Sequence, residues 1–331
     1  MKKLTSCAVA LLAVSVFLSC NNKKSDEVTL VMAEVNPATT IAGQMDQAFK
    51  EKVEELSGGK MKIDLQCAGI LGDVDAVMDL MLKPNSTIQI HRMSAVNLAT
   101  YGCEKNSLLS IPFTFVNKEH FWQFVKSPLA QEILDEPIKK GLPVKGLFFG
   151  EEGFRHFFST KKIVEVSDFE GLKLRTTNDE VMKGVAAGLK TQMVSVGFAD
   201  LYSAFQTGVV DAAEQPIANY LANHFNEVAP YMILDGHTLG VMEAVITVEA
   251  WNALTKDQQR ILIEAGAYAS EFCRKLSQDE EDRVRAQLEK EGATITDVTN
   301  VVPWQAACAD VIKNAAAVDP ALYQNILNLV K

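Results

Sequence analysis

Residues 28–65 read VTLVMAEVNPATTIAGQMDQAFKEKVEELSGGKMKIDL, and this stretch sets the fold class. VTLVMAE (28–34) is apolar and rich in β-branched residues, as a strand buried on both faces must be. From Thr40 the period changes. Ile41, Met45, Phe49, Val53 and Leu56 fall on one helical face, and Ser57-Gly58-Gly59 ends the run. KMKIDL (60–65) then alternates as a second strand. DVDAVMDLML (73–82) repeats the helix and TIQI (87–90) repeats the strand. Strand, helix, strand, helix, strand predicts a parallel sheet with right-handed crossovers, hence an α/β fold.

The pattern restarts downstream. LPVKGLFFG (142–150), FRHFFST (154–160), LKLRT (172–176), TQMVSV (191–196) and a short VVDAAE (209–214) read as strands, with helices between the later ones. Two such units predict two lobes. Thr255 with Gln258 forms a capping box, and Ile261, Ala265, Tyr268, Phe272, Leu276, Val284 and Leu288 keep helical spacing until Gly292. At ~1.5 Å per residue this helix is roughly 50 Å long. It lacks sustained heptads, so a strut lying across both lobes is expected rather than a coiled coil.

At the N-terminus, Lys2 and Lys3 precede an apolar run from Cys7 to Leu18 that is too short to span a bilayer as a mature helix. Residues 1–19 are therefore expected to be a secretory signal. Cys20 follows the small Ser19 and resembles a lipobox cysteine, whose thiol would carry lipid, with residues 20–26 as a polar tether. The match is loose, because Leu18 lies one place nearer the cysteine than usual; cleavage with Cys20 incidental is the alternative. Loss of residues 1–19 removes two lysines and moves the net charge from −10 to −12. An acidic chain without basic clusters argues against binding nucleic acid or anionic lipid. Cys67, Cys103, Cys273 and Cys308 form no C-x-x-C and lie near no histidine at ligand spacing, so no metal or cofactor is expected. They read as buried thiols, with a Cys67–Cys103 bridge as the alternative.

One charged residue stands out. In GLKLRTTNDE (171–180), Leu172 and Leu174 point to one side of a strand and Lys173 and Arg175 to the other. Thr177 with Glu180 predicts a capping box, which puts Arg175 at the carboxyl end of a strand just before a helix. Ligands bind at that edge of open α/β sheets, and a guanidinium there offers a planar fork to a carboxylate. The bland alternative is an arginine paired with Asp179 or Glu180, or pointing into solvent. Signatures of catalysis are missing. His91, His120, His156, His224 and His237 are scattered, none in H-E-x-x-H, and neither G-x-S-x-G nor a phosphate-binding loop occurs. His156, beside Arg155, is the one histidine near the expected cleft.

GFRHFFSTKKIVEVSDFEGLKLRTTND (153–179) and SVGFADLYSAFQTGVVDAAEQP (195–216) resemble the DctP family, the substrate-binding proteins of TRAP (tripartite ATP-independent periplasmic) transporters. VEELSGGKMKIDL, GILGD, LLSIPFTFVNKEHF and WNALTKDQQRIL extend the resemblance over nearly the whole mature chain. It implies two α/β lobes closing on a ligand, braced by a long helix. With the residue pattern it suggests lobe I at 27–152 plus 241–280 and lobe II at 153–240 plus 281–331. By resemblance Arg175 grips a ligand carboxylate and Arg155 assists. Gln215 stands where the family's D-G-x-E-N-P motif has asparagine, and Ala212 replaces its glycine. Phe198 matches a residue that packs on the ligand body, and Asn178 lies beside the arginine. Met93 stands where some relatives carry an acid, which suits a greasy substituent or ordinary core filling; Glu34 and Asn36 are further polar candidates. The implied partners are a small organic acid and the TRAP membrane subunits, joined in some spirochaetal systems by a tetratricopeptide-repeat protein. A mainly hydrophobic carboxylate ligand is one rival reading, and a lipoprotein serving only as an interaction surface is another.

Overall fold

The computed structural model describes residues 27–330, so the expected signal segment and Cys20 lie outside the described residues. Strand β1 (Val28–Ala33) leads through helix α1 (Ile41–Leu56) to β2 (Met61–Gln66), which pairs in parallel with it from Val28↔Met61 to Ala33↔Gln66. Thr40 caps α1, its hydroxyl accepting from Gly43 N at 3.1 Å. The chain turns so tightly into α1 that a Cβ on Gly43 would sit 2.5 Å from the Pro37 carbonyl oxygen. Helix α2 (Val74–Met81), capped by Asp73, leads to β3 (Ile90–Ser94), parallel to β1 through Met32↔Ile90. The strand expected at 87–90 thus lies later. Gln89 explains the shift, since its side-chain oxygen accepts the β1 amide of Val31 at 2.8 Å before the ladder begins.

The remaining strands are β4 (Val144–Ser159), β5 (Lys173–Arg175), β6 (Gln192–Met193), β7 (Ala212–Pro216), β8 (Tyr231–Thr247) and β9 (Thr294–Asp297). Among the described residues all nine strands share one sheet, in the order β2-β1-β3-β8-β4-β7-β5-β6 with β9 beside β8. Two corrections follow. The two strands expected at 142–150 and 154–160 are one, bent where the register slips between Glu151 and Phe154. Gly153 adopts φ +95° there, and its amide donates to Glu151 Oε2 at 2.7 Å. The centre of the sheet is also antiparallel, because β8, absent from the sequence reading, runs against both β3 and β4. Parallel pairing holds within each flank, β2-β1-β3 and β7-β5-β6.

The long helix Lys256–Lys290 forms as expected, with the reciprocal Thr255–Gln258 capping box at its start. Ala265 and Ala269 let it approach α1, and a Cβ on Gly266 would fall 2.7 Å from the Phe148 ring. Ser270 Oγ donates to Phe149 O at 2.6 Å and Cys273 Sγ to Glu151 O at 3.0 Å, which fastens mid-helix to β4 at its bend. Further along, Val284 and Leu288 pack with Phe225 and Met232. The tail departs from the expected 281–331 assignment. Trp304 and Val311 pack with Phe157 and Phe169, but Leu322 and Ile326 return to Phe121 and Trp122 beside β4's first half. His120 and Ile326 O, 2.8 Å apart, mark that return. All four described cysteines are free thiols; Cys67 is half-buried rather than buried, and the alternative bridge to Cys103 is not formed.

Buried Glu243, on β8, titrates far from the usual carboxylate range: burial pushes it up to about 8, against a single hydrogen bond from Asn106 Nδ2 at 2.6 Å. A carboxyl whose folded pKa is raised favours folding at low pH, and that contribution is lost as pH rises from the unfolded value through about 8. Relative to wild type, Glu243→Gln is expected to gain stability progressively between about pH 5 and pH 8, by up to about 4 kcal/mol. Urea unfolding at several pH values measures this, and a pH-independent difference would refute it.

Candidate functional site

Arg175 ends β5, where Leu174 fills the core and the arginine takes the other face. It is 7% exposed. Its Nε donates to Val196 O at 3.0 Å, and its terminal nitrogens make no hydrogen bond or ion pair among the described residues. Neither bland alternative holds. Asp179 is the true N-cap of helix Glu180–Gly188, accepting from Met182 N at 2.9 Å and from Thr177 Oγ1 at 2.6 Å. Asp179 thus replaces the expected Thr177–Glu180 box: two residues nearer the helix, it presents a carboxyl oxygen to the free amides. Glu180 is exposed and pairs with Lys183. Loss of water pulls the Arg175 guanidinium down to about 10, with Arg155 pushing the same way and Glu214 opposing. At neutral pH it remains a cation, buried and without a counter-ion.

Arg155, on β4, has the opposite environment. Glu214 from β7 grips its Nε and Nη2 side by side, and Nη1 donates to Glu152 Oε1 at 3.0 Å. Burial works against its charge, but the Glu214 carboxylate outweighs that and raises its pKa. Glu152 in turn accepts from Asn219 Nδ2 at 2.9 Å. Arg155 is therefore largely committed inside the protein. Gln215 is buried beside this network, its Oε1 3.5 Å from Asn219 Nδ2. Phe198 is half-buried, edge-on to Phe225 at 6.1 Å, two residues beyond the carbonyl that holds Arg175. Asn178 is exposed. His156 accepts from Gly236 N at 2.9 Å, and burial lowers it to about 4, so it is a neutral, structural imidazole.

From the first half of the chain come Glu34, Asn36 and Met93. Glu34 is bound along both oxygens by Arg92 of β3, and Asn36 Nδ2 donates to it at 2.9 Å. Burial raises the Glu34 carboxyl, but Arg92 prevails and the net shift is downward. Asp46 of α1 shares this space; burial first, then Glu34, push its carboxyl well above the usual range. Met93 is fully buried among Val77, Met78 and Val245, and so is core. Adjacent strand residues face opposite ways, so IHRMSA sends Arg92 toward α1 and Met93 toward α2. Sequence reasoning missed Arg92, Asp46, Glu152, Glu214 and Asn219. The available signal was charge inside apolar strands, which demands a buried partner.

An open groove of about 1050 Å³ runs between Val96 and Thr100 on one side and Asn178, Lys183 and Asp310 on the other. Neither Arg175 nor Arg155 lines it. The charged cluster lies inboard, and the buried guanidinium, rather than the groove's size, marks the site. Asn178 joins the two, three residues beyond Arg175.

Residues 32–319 match the family of bacterial extracellular solute-binding proteins, family 7 (DctP). The chain is similar to the 2,3-diketo-L-gulonate-binding periplasmic protein YiaO of Escherichia coli (25% identity; 76% of this chain, 75% of that one). It also resembles the C4-dicarboxylate-binding periplasmic protein DctP of Rhodobacter capsulatus (21% identity; 82% and 80%). Among solved structures, it resembles a TRAP periplasmic solute-binding protein from Pseudomonas putida F1 with bound D-glucuronate, at TM-score 0.85 and 23% identity (90% of this chain, 96% of that one). One from Sulfurospirillum deleyianum with bound succinate matches at TM-score 0.84 and 24% identity (92% and 99%). The shared fold is the two-lobed α/β fold of those proteins.

The two arginines should respond oppositely to loss of charge. In ligand-free protein Glu214→Gln is expected to cost about 3–5 kcal/mol, because it takes the paired carboxylate from the buried Arg155 guanidinium and leaves it Glu152 alone. Arg175→Met should be neutral or stabilising, since it removes a charge that nothing compensates. Denaturant unfolding of both variants checks this; equal destabilisation would show that Arg175 has a partner in the folded chain.

Proposed function

The chain belongs to the bacterial extracellular solute-binding proteins, family 7, and we propose that it captures a small organic acid for a TRAP transporter. Arg175 carries the reading: it is a buried cation with its terminal nitrogens unpaired, in a site whose other charges are matched. A ligand carboxylate supplies the missing counter-ion through paired N–H···O bonds. Arg155, held by Glu214 and Glu152, positions the surroundings. In this reading Gln215, Phe198 and Asn178 contact the rest of the ligand. The polar interior and the core position of Met93 favour a hydrophilic acid over a hydrophobic cargo.

Capture works by closure. Lobe I comprises residues 27–152 and 241–280, and lobe II residues 153–240 and 281 onward, except that the last helix, Pro320–Leu327, packs with lobe I. The lobes hinge where β4 and β8 change register, at Glu151–Phe154 opposite Leu239–Val241. The buried arrangement of Arg175 corresponds to the closed form, which the membrane subunits recognise. No helix among the described residues is long and apolar enough to cross a membrane. A lipid on Cys20 would hold the chain at the membrane surface, and a tetratricopeptide-repeat protein is a further candidate partner.

Calorimetry of a panel of organic acids should find tight ligands, and Arg175→Ala is expected to weaken them by about a hundredfold or more, the scale of a lost buried charge pair. Undiminished affinity in that variant would sink the assignment. Small-angle scattering should show compaction on saturation with the tightest acid; superimposable profiles would rule out hinge closure.

A further inference from the structure

The lobe I charges carry a more specific reading, resting on the carboxylate role of Arg175. Arg92 sits mid-strand in β3, 3% exposed. Glu34 occupies only one edge of its guanidinium, Nε and Nη2, and Nη1 makes no hydrogen bond among the described residues. Beside them the Asp46 carboxyl is fully buried against Glu34, and Asn219 Oδ1 is buried and unpartnered. Glu152, the carboxylate that holds Arg155 and Asn219, is close enough to Arg92 for its charge to be felt there. Glu152 therefore joins the Arg92 cluster of lobe I to the Arg155–Glu214–Arg175 cluster of lobe II.

The two open arginines differ in charge balance. Arg175 has no acidic partner, whereas Arg92 is already neutralised by Glu34 and has Glu152 nearby. A second carboxylate brought to Arg92 would meet two fixed negative charges in a water-poor cleft, but an uncharged oxygen would meet a free N–H without repulsion. We infer that Arg92, through Nη1, is a specificity-determining ligand contact that selects monocarboxylic acids bearing a neutral oxygen acceptor, hydroxyl or carbonyl, at the far end, and that Glu34 excludes dicarboxylic acids. Lobe II reads the charge, and lobe I reads the polar, uncharged end.

Matched pairs test this by calorimetry: glucuronate against glucarate, and succinamate against succinate, each pair differing in charge at one end. Wild type is expected to bind the monoacid at least tenfold tighter within a pair. Glu34→Gln should reverse or abolish that preference, since it releases the Arg92 charge. Arg92→Met should weaken the monoacid at least tenfold. Should Arg92→Met leave Glu34 stranded and the chain unfolded, Glu34→Gln/Arg92→Met replaces the ion pair with neutral groups and should lose the preference too. Preference for the diacid in wild type, or an unchanged ratio in Glu34→Gln and in the double variant, overturns the inference while the carboxylate reading stands. Failure of all four acids to bind wild type would overturn both.

Discussion

Pairing of β4 with β8 is the constraint on which the molecule rests. These strands, 16 and 17 residues long, run antiparallel through both halves of a single sheet. Each parallel flank attaches to one end of the pair: β3 to the end of β8, β7 to the end of β4. A register slip at Glu151–Phe154 interrupts the ladder locally, and the long helix is fastened to that same point through Ser270 and Cys273. Movement between the flanks is thereby confined to strand bending beneath a stiff brace, which suits a two-lobed binding fold.

What could be read from the sequence follows from how local the information is. Helix α1 and the long helix were legible from apolar period and caps, because a helix satisfies its hydrogen bonds within its own segment. The α/β class and the two lobes followed from repetition. β8 was not legible. YMILDGHTLGVMEAVIT holds two glycines and a polar DGHT in its middle, which reads as a turn, and only pairing with the equally interrupted β4 makes it one strand. At the site, Arg175 could be singled out because strand end and helix start are local features. Glu214 and Glu152 could not, since their role depends on Arg155, 59 residues from one and three from the other. Met93 illustrates the same limit. Of the two readings the sequence left open for it, core filling is the one the packing shows, and alternation puts Arg92 in the polar cluster instead.

The interior is organised by which charges have partners. Buried ion pairs contribute little net stability, yet breaking one is expensive, so matched pairs such as Arg155–Glu214 and Arg92–Glu34 act chiefly to hold geometry. They fix the guanidinium planes and leave Arg175 as the buried arginine with no acid assigned to it. His156, held neutral by burial, adds polar volume without adding charge.

An unmatched buried cation also bears on closure itself. With no ligand, shutting the lobes removes water from Arg175 without replacing it, so the closed form is disfavoured by the desolvation of one guanidinium. A carboxylate reverses the sign. Converting a 1:99 equilibrium to 99:1 needs a differential of about 5.5 kcal/mol, and a buried, hydrogen-bonded charge pair is worth about 3–5 kcal/mol relative to a stranded partner. On the proposed mechanism one arginine would supply most of such a switch, and a few further hydrogen bonds would complete it. In the proposed capture the same residue both binds the ligand and couples binding to closure, which requires that it have no partner of its own.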